Sequence, residues 1–440
     1  MQLLPQVVFA LVVGLVGWMM VRRIRNIQQT IQLGRAEDLT DQPGLRWRTM
    51  LRIAFGQQRM FDRPLVGILH LLVYAGFLLI NIEVLEIVLD GLLGTHRIFA
   101  PVLGGFYPFL IDFFEVLALG VLVACILFLI RRDARLIPRL QARQHRELKG
   151  WPVLDANVIL ITEIVLMVAI LSMNAADSLL QERGQAHYPL VGDFVISQFL
   201  KPIFAGFSTE ALLVIERVSW WFHILGIFAF AVYVTYSKHL HIFLAFPNTY
   251  FTRIQPQGTM DAMPAVTREV KLMLGTETDT GTPPEAGRFG AKDVMDLSWK
   301  NLLDAYSCTE CGRCTAACPA NLTGKKLSPR KIMMDTRDRL EDLGRNLQTN
   351  GGELKDDGKS LLGDYIQTEE LRACTTCQAC VQACPILINP LDIILQLRRY
   401  QAMEESNAPA AWNAMFQNVE NNQAPWKFSP GDRFNWAEQL

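Results

Sequence analysis

Apolar residues in the first 250 positions gather into five long runs, at 3–21, 64–89, 107–130, 158–174 and 212–244. Each is long enough to cross a bilayer as a helix, which takes about 20 residues, with the fourth giving the weakest signal. Beyond residue 250 the pattern changes to shorter helical segments, 299–306, 328–343 and the amphipathic 390–403, set among polar loops at 275–290 and 349–360. A polar tail follows, carrying Trp412, Phe416, Trp426, Phe428, Phe434 and Trp436. The pattern predicts a mainly α protein: a five-helix transmembrane bundle over 1–250, a linker over 251–298, a helical domain over 299–400 and a docking tail over 401–440.

The first run has no basic residue before it and Arg22, Arg23 and Arg25 after it, so it reads as an uncleaved anchor with its amino end outside. Nine arginines lie between Arg22 and Arg63, and six more with Lys149 follow the third run, whereas the alternate loops hold little beyond Arg97, Arg183 and Lys201. By the positive-inside rule the basic loops face the cytoplasm, and an odd number of spans from an outside amino end leaves everything after Phe246 on that side of a cell inner membrane. The formal net charge of -1 gives nucleic-acid binding no support.

Eight of the nine cysteines fall in two runs of one grammar: Cys308, Cys311, Cys314 and Cys318 before Pro319, then Cys374, Cys377, Cys380 and Cys384 before Pro385. In the spacing C-x-x-C-x-x-C-x-x-x-C-P, three thiolates on one loop cap three corners of a cubane, and the fourth, leading away, ligates the other cluster. One [4Fe-4S] cluster is therefore assigned to Cys308, Cys311, Cys314 and Cys384, and a second to Cys374, Cys377, Cys380 and Cys318. Zinc calls for paired C-x-x-C halves and not for runs of four ending in proline. Disulfides are disfavoured because cluster ligands must stay reduced, which agrees with a cytoplasmic location. Cys125, in an apolar run, reads as a small buried hydrophobe. The basic group Lys325, Lys326, Arg330 and Lys331 reads as a solvated helix face, with steering of an acidic electron donor as the alternative.

Ionisable residues at membrane depth are costly and so point to function. His70 lies about two turns into the second run, while the fifth carries His223 in its outer half and His239 and His241 near its cytoplasmic end. By depth, His239 or His241 can meet His70, and two imidazoles facing each other from different helices are the axial ligands a b-type haem needs. His70 with His241 is the first choice and His70 with His239 the alternative; the plain reading is histidines bonded to a neighbouring helix. His223 has acidic company in Glu83, Glu86, Asp112, Glu115, Asp177 and Glu216. Quinone reduction takes protons as well as electrons, so this outer group is the candidate quinone or proton site.

The bundle resembles the gamma subunit of respiratory nitrate reductases and the cytochrome b subunit of heterodisulfide reductases, through Ser237-Lys238-His239-Leu240-His241-Ile242 and Leu69-His70-Leu71. The run from Cys308 to Pro319, with Leu327-Ser328-Pro329 and Asn389-Pro390-Leu391-Asp392, resembles the small dicluster subunit of heterodisulfide reductases and related membrane iron-sulfur oxidoreductases. Together these cover residues 1 to about 400. In the nitrate reductase subunit a further histidine on the second span pairs with the counterpart of His223 to hold a second haem; here that neighbourhood holds Ile80. The catalytic relatives also carry adjacent cysteine pairs, and this chain has none, so that chemistry would need a separate chain.

The resemblance implies a membrane electron-transfer subunit working between the quinone pool and a cytoplasmic partner. That partner would be a cysteine-rich catalytic iron-sulfur subunit, with a flavoprotein as a further donor. A redox-sensing or assembly protein without quinone activity, and an anchor for a heterodisulfide-reductase-like complex, are the alternatives. No Gly-rich dinucleotide loop or nucleophile and base constellation stands out, so substrate chemistry is expected on a partner.

Overall fold

The computed structural model describes residues 3–134, 136–256, 258–276 and 288–438; most of the 275–290 loop lies outside the described residues. Five helices are long and apolar enough to cross a membrane: α1 (Leu3–Ile31), α2 (Pro64–Leu93), α3 (Phe106–Asp133), α4 (Trp151–Glu182) and α5 (Thr209–Val234). Leu11, Leu15, Ile68, Val116, Ile161 and Val218 stand exposed on them, an outer surface suited to hydrocarbon.

The fourth run, the weakest in sequence, forms the helix at the centre of the bundle, between α3 and α5. It also continues past 174, through buried Asn174, Asp177 and Gln181. Their polar atoms are satisfied: Asn174 and Asp177 accept from Arg97, Asn174 donates to Glu115, and Gln181 accepts from the Val191 N–H. Buried polar groups with partners cost little, so the helix need not stop where the apolar run does.

The fifth run is not one span. α5 ends at Val234, and the chain resumes as α6 (His241–Tyr250) after a short turn. Asp155, buried at the start of α4, supplies the reason: its carboxylate accepts from the Tyr233 hydroxyl (2.5 Å), the Ser237 hydroxyl (2.6 Å) and the Lys238 N–H (3.2 Å). His239 and His241 thus lie beyond the helix, in and just after the turn, and not inside a continuous span.

The remaining chain forms a helical domain of α7 (Trp299–Ser307), α8 (Arg313–Ala317), α9 (Pro329–Thr349), α10 (Ala379–Ala383) and α11 (Pro390–Met403), then α12 (Ala410–Asn422) in the tail. α9 and α11 start alike. Ser328 and Asn389 each accept an N–H from the first turn and each is followed by a proline, which needs no such bond. The domain shares its core with the bundle: Ile27 of α1 and Leu240 of the turn pack with Leu302, Leu340, Ile393 and Leu397. Two backbone bonds, Arg35 N–H to Leu297 (2.7 Å) and Trp299 N–H to Arg35 (3.0 Å), stitch the segment after α1 to the start of α7.

Candidate functional site

Both cysteine loops follow one backbone trace. Glu310 and Gly312 have φ of 57° and 70°, and Thr376 and Gln378, at matching places, have 56° and 61°. Each loop then enters a one-turn helix, α8 or α10, that delivers its last cysteine on extended backbone, with φ of -77° at Cys318 and -76° at Cys384. α8 and α10 pack on each other. The Cys384 thiol consequently lies in the field of Cys308 and Cys311, and Cys318 in that of Cys374 and Cys380. Cys318, Cys374, Cys377 and Cys380 line one cavity with apolar walls from Leu327, Pro329, Leu391 and Ile394. Four thiols round an apolar hollow are the donor set of a [4Fe-4S] cluster. Burial pushes the thiol of Cys308 up to about 11 and those of Cys380 and Cys384 up to about 12. Ligation needs thiolates, so iron must displace these protons.

The two sets sit at different distances from the bundle. Arg59 donates to the carbonyls of Gln382 (3.2 Å) and Cys384 (3.0 Å), and Arg139 to that of Cys311 (3.1 Å). Arg313 in turn donates to the Arg59 carbonyl (3.1 Å). All of these clamp the group Cys308, Cys311, Cys314 and Cys384 against bundle loops, while Cys377 of the other group is exposed.

His70, His239 and His241 lie within electrostatic reach of one another. Nδ1 of His70 donates to Oε1 of Gln57 (3.0 Å), and Nδ1 of His241 to the Lys238 carbonyl (3.1 Å). This pattern fits haem ligation: an iron-bound imidazole donates its other ring N–H to an oxygen, which sets the tautomer and leaves Nε2 for the metal. The His239 ring packs edge-on against His241 and tilted against Phe230. Burial, with the neighbouring His241 and His70, holds His239 down to about 3, so it is neutral at ordinary pH.

The outer carboxylates are each held by hydrogen bonds. Buried Arg97 donates to Glu83 (3.2 Å), Asn174 (2.8 Å) and Asp177 (3.1 Å). Glu86 accepts from the Phe99 N–H and the Tyr107 hydroxyl (2.8 Å each). Glu115 takes the N–H groups of Ile196 (2.8 Å) and Ser197 (3.1 Å), and Asp112 that of Val195 (3.2 Å). Glu216 bonds Tyr188 (2.8 Å) and Arg217 (2.9 Å), away from His223, whose Nδ1 donates to the Leu166 carbonyl (3.0 Å). Ile80 and Ile224 belong to the same apolar core.

Only part of the basic group after the first run is a solvated face: Lys325 and Lys326 are exposed, but Arg330 and Lys331 are not. Arg330 is fully buried and bonded to Glu147 (2.9 Å) and the Arg139 carbonyl (2.6 Å), while Lys331 pairs with Asp335 and Glu370. Gln57, Arg97 and Asp155 gave no warning in sequence, because each acts through residues distant along the chain. Glu163, half-buried within α4, does carry a signal in sequence that could have found it: a carboxylate inside an apolar run.

Residues 307–388 match the family of 4Fe-4S dicluster domains. The chain is similar to a Bacillus subtilis protein described as a probable iron-sulfur-binding oxidoreductase, with 27% identity over 98% of this chain and 60% of the relative. It is similar at 26% identity to an EtfAB:quinone oxidoreductase of Syntrophomonas wolfei, over 88% of this chain and 53% of the relative. One subunit of a CoB-CoM heterodisulfide reductase of Methanosarcina acetivorans matches at 34% identity, over 26% of this chain and 56% of that protein. The chain thus spans little more than half the length of the first two relatives. No solved structure matches it. Its homologues are iron-sulfur oxidoreductases, and it carries a 4Fe-4S dicluster domain beside five helices able to cross a membrane.

Proposed function

We propose that this chain is the membrane electron-transfer part of a larger oxidoreductase, linking a cytoplasmic redox partner to the quinone pool of the inner membrane. The observation that carries the reading is the clamping of one cysteine group beside two histidines whose Nδ1 atoms are already anchored. Two [4Fe-4S] clusters and a b-type haem supply one-electron carriers when bound. Cys308, Cys311, Cys314 and Cys384 would hold the cluster nearer the bundle, and Cys374, Cys377, Cys380 and Cys318 the outer one.

His70 and His241 would ligate the haem. The bond from the His241 ring to the Lys238 carbonyl favours it over His239. The exposure of Cys377 supports a partner docking on the outer cluster's side, and the exposed aromatics of the tail offer it further surface. A flavoprotein donor, or a cysteine-rich catalytic iron-sulfur subunit, is the partner we favour, with electrons running to quinone. For the proton side, Glu216 is the outer carboxylate paired with a partly exposed group, Arg217; Glu83, Glu86, Asp112 and Glu115 serve mainly to hold the outer loops.

Reduced-minus-oxidised spectra of the purified full chain test the reading. A b-type band is expected; its absence would leave the redox-sensor alternative. His70→Ala should lose that band and keep both clusters. Cys384→Ala should abolish the EPR signal of the cluster nearer the haem, and loss of the outer cluster's signal instead would refute the crossed ligand sets.

A further inference from the structure

The turn that carries His239 and His241 is joined to the first cysteine loop by one side chain. Nζ of Lys238 donates to Oε2 of Glu310 (2.5 Å) and to the Pro152 carbonyl (2.6 Å), and it lies 3.8 Å from Asp155. Glu310 sits between Cys308 and Cys311 on left-handed backbone and is almost wholly buried. Its other oxygen accepts from Arg337 (2.5 Å), and Arg337 also donates to the Cys308 carbonyl (3.5 Å). The main-chain carbonyl of the same lysine receives the His241 ring N–H. Arg132 and Asp338 are further charges near this group.

Buried charges at such distances are poorly screened, and a cluster's potential responds to the charge around it. An exposed pair here would do little. Lys238 is only 10% exposed and Glu310 only 3% exposed at their side chains.

We infer that Lys238 is a positioning residue that couples the histidine turn to the first cysteine loop, and that the Lys238–Glu310–Arg337 group sets the midpoint potential of the cluster held by Cys308, Cys311, Cys314 and Cys384. The inference rests on that ligand set. Reduction adds negative charge to a cluster, so a nearby cation favours it and a nearby anion opposes it.

The test is an EPR-monitored redox titration of the full chain in detergent, with both cluster signals followed. Lys238→Met should lower the midpoint of the inner cluster, Glu310→Gln should raise it, and the double variant should return towards the parent. The outer cluster should stay unmoved in all three. Shifts of one sign in both single variants, as simple loosening of the interface would produce, overturn the inference, and so do unmoved midpoints with both clusters present. A parent chain whose two signals do not follow the crossed ligand sets in the Cys384→Ala control refutes the ligand reading instead. Should Glu310→Gln fail to assemble, Glu310→Met provides a second anion removal, expected to raise the same midpoint.

Discussion

Arg97 gathers Glu83 from α2 with Asn174 and Asp177 from α4, and its own N–H donates to Asp90 (2.8 Å). Breaking a buried ion pair from one side is strongly destabilising because it strands the other charges. Arg97→Met should therefore cost about 3–5 kcal/mol, read as a large fall in thermal midpoint in detergent. Glu163 gives the opposite case, a carboxylate among apolar neighbours in a span, where ionised side chains are expensive. Glu163→Leu should raise the midpoint, and a fall would show that the carboxylate has a partner of its own. The cysteines were legible because their chemistry is written in local spacing. Arg97 was not: in sequence it is one more loop arginine, and its partners lie 14, 77 and 80 residues away.

Between elements, the loop before α4 pins α9 through Glu147, which accepts from Arg330 (2.9 Å) and Ser328 (2.8 Å). Burial alone would raise the Glu147 carboxyl, but the Arg330 bond and charge and the Ser328 hydroxyl outweigh it and hold it below its ordinary 4.5. A depressed carboxylate stabilises fully above its unfolded value and loses that contribution as pH falls towards its folded one. Stability of the docked state should fall below about pH 4.5, and Glu147→Gln should flatten that acid limb in a pH series of thermal midpoints. Gly34 marks the other seam. A Cβ there would stand 2.6 Å from the Trp299 nitrogen and 2.8 Å from its Cα, both backbone atoms that cannot turn aside. Gly34→Ala should open the seam, seen as faster amide exchange at Trp299 with both clusters retained. The helix 390–403 was readable to the residue because Asn389 and Pro390 mark its start. The end of α5 was not, because Tyr233 and Ser237 are apolar or neutral in pattern and only Asp155, from another helix, ends the span.

For the whole molecule, the core that runs from Ile27 and Leu240 into the cysteine-bearing domain makes bundle and domain one body. The tail stands apart from it: Trp412, Phe416, Trp426, Phe428, Phe434 and Trp436 are all exposed. Truncation after Ala408 should leave iron content and both EPR signals intact while weakening reduction by the native donor. Loss of either signal would show that the tail supports the clusters and not a partner.

Composition and pattern alone determined that this is a helical, five-span protein with two cysteine runs, since hydropathy and C-x-x-C spacing are local properties of the chain. Only the tertiary structure decided which cysteine group faces the bundle, where the fifth span stops and which histidine ring is anchored. Those outcomes depend on Arg59, Asp155, Gln57 and Lys238 meeting groups far along the sequence. Long-range electrostatic and hydrogen-bond partners leave no periodic trace, so they become visible only when the chain has folded.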